Sequence, residues 1–378
     1  MGLVKHYLKQ ADYICFILSI ILLPLSIKLS SKLLFIAILL GVIQSIYTRA
    51  FSWFLYQKPV IVLNALFVIY IIIQGLILDG PTDFFKTFDR AYAPYLVFLL
   101  MPIFYNKCQI TKHVPLALLI GVCTLCFLIL VNSFLDGAFY TREMVLEVFD
   151  MHHLYISLYI LFLINFLLST ETQFKVKSKV ILIFILVCFL IFFKSKAAIV
   201  ATVILLLYHA AIRLKLNKTK WVGLGVAAVI LIVIFNTYFH KLFTDALDFR
   251  SRIWAVAIEY ILHNPIFGYG SNNEHAILNR GHFLIGNYDF LDSNLNTHNQ
   301  FLTFLLKFGL VGFVLVLSPF VYIVMKVNKP LRQEYLGFLI LLFCMSFIES
   351  LYNRHHGIVF ICLTLYYYHN LSMKAQKN

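Results

Sequence analysis

The stretch THNQFLTFLLKFGLVGF, residues 297–313, opens on side chains that hydrogen-bond and closes on side chains that do not. The apolar character persists to residue 325. A helix rises about 1.5 Å per residue and a hydrocarbon core is about 30 Å thick, so a run of this length crosses a bilayer. His298, Asn299 and Gln300 therefore stand where the chain passes from water into lipid. An imidazole and two amides on that threshold call for an explanation.

Working outward, the rest of the chain repeats the apolar pattern. Of 378 residues, 61% are hydrophobic and 13% charged, and the mean hydropathy is +0.87. A soluble domain cannot hide that much apolar surface. The composition is that of an all-α integral membrane protein, with residues 1–378 forming a single polytopic membrane domain. Twelve apolar spans fall near residues 12–27, 33–48, 59–78, 91–105, 114–134, 154–169, 180–193, 197–212, 221–239, 299–325, 335–348 and 357–370. Lys5 and Lys9 precede the first span and no cleavage site follows it, which predicts an uncleaved first helix. Six of the seven cysteines lie inside apolar runs, where they act as small fillers, and no disulfide framework is expected.

Twelve spans place both termini on one side. Eighteen of the 31 Lys and Arg residues, against only the acids Asp12, Glu171 and Glu334, fall in the loops and termini of that side. The other thirteen share the opposite half with fourteen acids. By the positive-inside rule both termini are cytoplasmic. The net charge of +14 is then mostly a topological signal, and no nucleic-acid partner is expected.

One long loop, residues 240–297, joins spans nine and ten on the outer side. Loops of that length are functional or disordered. Within it RSRIWAVAIEYILHNP places Trp254, Ala257, Ile258 and Ile261 at helical spacing, and Pro265, Gly268 and Gly270 end that helix in a turn. A short amphipathic helix lying on the membrane is expected there.

Polar side chains gather at the same outer level. They include Lys194 and Lys196 between spans seven and eight, Arg250 and Arg252 in the loop helix, and His298. Glu349 and Arg354 lie between spans eleven and twelve, and Arg90 precedes span four. Together they suit a cationic pocket: Lys196 and Arg252 to grip an anion such as a pyrophosphate, His298 to move a proton. Each has a plainer reading. The lysines also suit snorkelling to headgroups. Arg250 and Arg252 also suit surface pairs with Asp245, Asp248 or Glu259, and His298 a helix start. The set His275, His282, Asp289, Asp292 and His298 has no compact ligand spacing, so no metal and no cofactor are expected. FGYG, residues 267–270, lacks the G-K-[ST] of a P-loop.

Taken in order, Arg250-x-x-x-Trp254, Asn264-Pro265, Gly268, Gly270, His298-Asn299, Leu302, Gly309 and Gly312 resemble the signature of the O-antigen ligase and O-antigen polymerase family of bacterial membrane glycosyltransferases. KSKAAIVA, residues 194–201, resembles that family's turn of serine, arginine and a small residue. The resemblance implies a GT-C-like fold of about twelve transmembrane helices with the long loop between helices 9 and 10. It implies a metal-independent, inverting enzyme of the bacterial inner membrane, with its active site on the periplasmic side. The donor would be a glycan on undecaprenyl pyrophosphate, and the acceptor a sugar hydroxyl on lipid A–core or on another lipid-linked glycan. Carried over, the family's turn arginine falls on Lys196, its loop arginine on Arg252 or Arg250, and its acceptor-activating histidine on His298. Lys194, Arg90, Glu349 and Arg354 complete the substrate-binding candidates, in contact with membrane lipids. Two positions depart from the pattern: lysine replaces the turn arginine, and Lys307 replaces the acid before G-x-x-G.

A polymerase for O-antigen, capsule or exopolysaccharide would share these motifs. A lipid-linked sugar transporter or flippase would instead need paired charges or broken helices near mid-membrane. The spans are nearly free of charge in their middles, which favours the enzyme.

Overall fold

The computed structural model describes residues 2–49, 52–105, 110–135, 137, 148–149, 151–169, 174–193, 195–213, 223, 225, 240–293 and 295–375. The ninth expected span and Lys194 lie outside these residues. Among them the regular structure is all helical: α1 Gly2–Leu22, α2 Ile27–Thr48, α3 Ser52–Leu78, α4 Gly80–Ala91, α5 Ile110–Leu135, α6 His153–Leu168, α7 Val176–Phe192, α8 Lys196–Arg213, α9 His240–His263, α10 Glu274–Leu284, α11 Gln300–Lys326, α12 Lys329–Ser346 and α13 His355–Ala375. Five described segments are long and apolar enough to cross a membrane: Ile27–Thr48, Gln57–Leu78, Lys112–Leu135, Lys196–Arg213 and Gln300–Lys326. The expected fourth span is not one helix. Residues 93–104 form a 3-10 turn, one α-turn and a second 3-10 turn. Pro94 and Pro102, each in the first turn of its 3-10 segment, have no N–H to give to a continuous ladder.

α6 and α13 are the inner helices. Almost every residue of each is buried, which is what helices that are apolar all round require. Several polar side chains on or against α13 are partnered rather than exposed. Asn64 Nδ2 donates to Tyr366 Oη at 2.9 Å, and Tyr105 Oη to the Leu363 carbonyl at 2.6 Å. His369 meets Gln57, and Asn370 donates to the Tyr105 carbonyl. In a lipid-like interior such groups must be satisfied by protein.

Hydrogen bonds also define the two ends of the bundle. At one end, Arg213 Nη2 donates to the Leu168 carbonyl at 2.8 Å, Lys179 Nζ to the Ser169 carbonyl at 3.2 Å and Tyr208 Oη to the Gln333 carbonyl at 2.9 Å. The C-termini of α6 and α8 and the N-termini of α7 and α12 therefore meet there. The helix directions carry the start of α6, the first turn of α8 with Lys196, the end of α12 and the start of α13 to the opposite end. That opposite end holds His298 and Glu349.

α11 is broken where the sequence places Gly309. Its φ of 61° and ψ of −169° interrupt the helix, and residues 265–270 fill the gap. Leu310 N donates to the Pro265 carbonyl at 2.8 Å and Val311 N to the Ile266 carbonyl at 3.2 Å. Tyr269 N donates to the Leu306 carbonyl at 2.9 Å and Gly270 N to the Lys307 carbonyl at 2.8 Å. Backbone groups freed by the break are thus re-paired, as a break within an apolar span demands. The fit needs two glycines. A Cβ on Gly309 would lie 2.3 Å from the Ile266 carbonyl oxygen, and one on Gly268, itself at φ +68°, would lie 2.5 Å from Gly309 N.

The loop helix differs from expectation in length and face. α9 runs for 24 residues. Its buried side chains are Ile253, Val256, Ala257 and Ile261, with Ile258 turned outward and Trp254 half-buried. These pack with Leu278, Phe290, Leu295 and Leu306 as a small core of their own. α9 thus covers α10 and α11.

Candidate active site

Thr297, His298 and Asn299 form the turn that launches α11. Asn299 caps the helix: its Oδ1 accepts from Phe301 N at 3.0 Å and Leu302 N at 3.2 Å. Such a cap contributes about 1 kcal/mol. Gln300 Oε1 accepts from Tyr352 N at 2.7 Å and so ties α11 to the turn before α13. Trp254 Nε1 donates to the Thr297 carbonyl at 2.9 Å, which ties the turn to α9. The two amides beside the histidine are therefore its scaffold.

His298 itself sits at a φ of 46°, in the left-handed region. Its amide donates to Asn296 Oδ1 at 2.8 Å. Left-handed backbone costs a residue with a Cβ about 1–2 kcal/mol, and such positions concentrate at functional sites. The turn directs the ring toward Glu349, with Nδ1 3.6 Å from Oε2. That separation is a close contact, longer than a hydrogen bond. Burial alone would raise the Glu349 carboxyl. The His298 imidazole, the charge of His152 and the Ser350 amide outweigh it and hold the pKa below its ordinary 4.5.

Arg250 is half-buried and within electrostatic reach of Glu349. Burial lowers its pKa from the ordinary value, and the Glu349 charge opposes that shift. Arg252, two residues along the same helix, points elsewhere. It pairs with Asp248 at 3.5 Å, and its guanidinium lies 5.0 Å from the centre of the Phe290 ring. Arg354 is exposed and, with Glu349, within electrostatic reach of Tyr155 on α6. Lys196 is exposed in the first turn of α8, and Arg90 is exposed in the last turn of α4. α4 is fastened to the loop by Asn272 Nδ2 on Thr87 Oγ1 at 3.1 Å and Ser271 Oγ on the Ala91 carbonyl at 3.0 Å. Of the expected site residues, then, the described structure brings His298, Glu349 and Arg250 together, and it adds His152.

A second polar group beneath these residues was not anticipated. Glu274 is buried with only 2% exposure. Its Oε1 accepts from Thr297 N at 3.2 Å and Thr303 Oγ1 at 3.1 Å. Its Oε2 lies 3.0 Å from Lys307 Nζ and accepts from Asn353 Nδ2 at 3.0 Å. Lys307 Nζ also donates to Asn353 Oδ1 at 2.7 Å. Burial would raise the Glu274 pKa, but the Lys307 charge and hydrogen bond, with those from Thr297 and Asn353, bring it below 4.5. The basic residue at 307, opposite in sign to the pattern the sequence resembles, has its counter-charge in Glu274. The one signal in the sequence was that inversion, since a lysine inside an apolar helix needs an acid somewhere.

Residues 181–317 match the model of the family described as O-antigen ligase, a little over a third of the chain. No curated protein matches the chain. The matched segment runs from α7 into α11 and includes the RSRIWAVAIEYILHNPIFGYG stretch and the His298 threshold. Over that segment the chain is similar to the O-antigen ligase family.

Proposed function

We propose that the chain moves a glycan from undecaprenyl pyrophosphate to an acceptor sugar hydroxyl, such as one on lipid A–core, at the periplasmic face of the bacterial inner membrane. The family match over residues 181–317 supports the broader statement, a membrane glycosyltransferase of ligase or polymerase type. The observation that carries the finer reading is the His298–Glu349 contact, with Nδ1 3.6 Å from Oε2 and Arg250 within electrostatic reach of Glu349. A carboxylate at Nδ1 favours the tautomer with its proton there and leaves the Nε2 lone pair for a substrate hydroxyl. Nε2 takes the hydroxyl's proton as the acceptor oxygen attacks the anomeric carbon. The bond from that carbon to the pyrophosphate oxygen breaks, and attack from the far side inverts the centre.

Pyrophosphate is already a good leaving group, so the protein's task is orientation and charge stabilisation. Arg250 takes the pyrophosphate in this scheme, with Lys196 at the same end of the bundle and Arg252, Arg354 and Arg90 toward the rim. Lys194 belongs to the same turn as Lys196 and lies outside the described residues. Side-chain cations supply the positive charge, so transfer should persist in a chelator. In this reading the chain follows a twelve-span, GT-C-like plan with both termini cytoplasmic. A long loop between spans nine and ten, residues 240–297, forms its periplasmic part.

The test is transfer by purified protein from a synthetic polyprenyl-pyrophosphate glycan to lipid A–core, without nucleotide and in EDTA. The His298→Asn variant keeps a residue that tolerates left-handed backbone. It should fold and bind donor normally while kcat falls about 10²–10⁴-fold. Near-normal transfer by His298→Asn removes the base. Elongation of the donor glycan, with no transfer to lipid A–core, makes the chain a polymerase.

A further inference from the structure

The buried group around Glu274 joins the two segments that carry the reacting pair. On one side Glu274 Oε1 holds the amide of Thr297, the residue before His298, at 3.2 Å. On the other, a line of hydroxyls runs to the residue after Glu349. Glu274 Oε1 meets Thr303 Oγ1 at 3.1 Å, and Thr303 Oγ1 lies 2.8 Å from Ser350 Oγ. Thr297 Oγ1 closes the group, 2.6 Å from Thr303 Oγ1. Ser350 N in turn donates to Glu349 Oε1 at 3.3 Å. Asn353, which bonds both Glu274 and Lys307, belongs to the same short turn as Glu349. Thr297, Thr303 and Ser350 are each at most 1% exposed.

As a source of stability alone, this arrangement is poor. A buried ion pair costs so much desolvation that an apolar replacement of similar volume is often neutral or better. As a geometrical device it is strong. One carboxylate bonds the backbone of the first turn and reaches the second through Thr303 and Asn353, alongside the direct Gln300 Oε1–Tyr352 N and Thr297 Oγ1–Ser350 Oγ contacts, and His298 and Glu349 stand next to its points of attachment.

We propose that Glu274 and Lys307 form a positioning clamp for the His298–Glu349 pair, acting through the Thr297 amide and the Thr303–Ser350 hydroxyls. In this assignment Lys307 keeps Glu274 ionised and oriented, and the Glu274 oxygen does the positioning. Neither residue touches substrate. The proposal rests on the transfer reading above for its kinetic consequence, but its geometry does not.

Two double variants separate the clamp from plain charge burial. Glu274→Gln/Lys307→Met and Glu274→Met/Lys307→Met both remove the ion pair and leave no unpaired charge. Only the first keeps an oxygen to accept from Thr297 N. The clamp requires the Gln/Met protein to stay within about tenfold of wild-type kcat. It requires the Met/Met protein to lose about 100-fold, the scale of an ångström-sized misplacement, with donor KM unchanged in both. Thr303→Val, which cuts only the hydroxyl line, should lower kcat in the same direction. The rate at which diethyl pyrocarbonate modifies His298 is measured alongside, because it needs no transferase activity. It should change several-fold in Met/Met and stay at the wild-type value in Gln/Met. Equal kcat and equal modification rates in the two folded double variants overturn the clamp. Should Met/Met fail to fold, Thr303→Val with wild-type kcat and wild-type modification rate overturns it instead. Absence of transfer by the wild-type protein, with modification rates that differ as stated, sinks the transferase reading and leaves the clamp standing.

Discussion

Arg250 and Arg252 are the same residue type two positions apart on one helix, and a helix turns them to nearly opposite sides. Arg250 shares the field of Glu349, while Arg252 is part-exposed against Asp248 and Phe290. Their substitutions should therefore differ. A charge-assisted hydrogen bond to the donor is worth about 1.5–3 kcal/mol, so Arg250→Ala should weaken donor binding by about 10- to 150-fold. Arg250→Lys should recover only part of that, because the fork that matches two phosphate oxygens is lost. Arg252→Ala removes an exposed i,i+4 pair of about 0–1 kcal/mol and should change donor affinity by no more than about fivefold. Donor affinity measured across the three variants checks the order; a larger loss at Arg252 than at Arg250 would return the leading role to Arg252.

Among the elements, the joint between residues 265–270 and the break in α11 has the least tolerance. Two backbones approach at Gly268 and Gly309, and both glycines have positive φ. Gly268→Ala would incur about 1–2 kcal/mol for left-handed backbone. Forcing Gly309 and the Lys307 carbonyl apart would add about 1–3 kcal/mol. The loop should then leave α11, with Leu310 N and Val311 N unpaired. Limited proteolysis should cut between residues 262 and 272 in Gly268→Ala well before it cuts the wild-type protein, and the melting temperature in detergent should fall. Tyr70 Oη and Gln74 Nε2 on α3 also reach this joint, both donating to the Phe267 carbonyl. α3, α11 and the loop are locked at one place, which explains how a long connection is held over a site. An Ala variant as protease-resistant as wild type would mean that the joint carries no such load.

Across the whole molecule, charge and architecture agree. The bundle end marked by Arg213, Lys179 and Gln333 also receives Lys329 and Arg332, at the start of α12, and Lys374, at the end of α13. The opposite end carries Glu349, Glu274 and His298 among its bases. A membrane sorts such an asymmetry by keeping the richer basic side in the cytoplasm. Reporter fusions at Lys177 and Lys329 should accordingly read cytoplasmic, and one at Asn273 should read periplasmic. A cytoplasmic signal at Asn273 would place His298 on the wrong side for a donor that is used outside.

The all-helical membrane class of the protein, several of its long apolar helices and the polar start of α11 at His298 were legible in the sequence because each rests on local information. Hydrophobic runs, their lengths and the lysine and arginine bias need only neighbouring residues to be read. The motif order from Arg250 to Gly312 was legible in the same way, and it pointed to the family. What lay beyond local reading was decided by tertiary contact. On α9 the sequence placed Ala257 and Ile261 on the buried face but also Ile258, which is exposed, because a period of 3.6 fixes spacing while only packing against α10 and α11 fixes phase. The fourth span breaks where two prolines meet a packed core. The partner of His298 stands 51 residues further on, at Glu349, and the counter-charge of Lys307 stands at Glu274, on a helix that precedes it. Pairings at such separations leave no periodic trace; they exist only once the chain has closed on itself and buried charges have had to find each other.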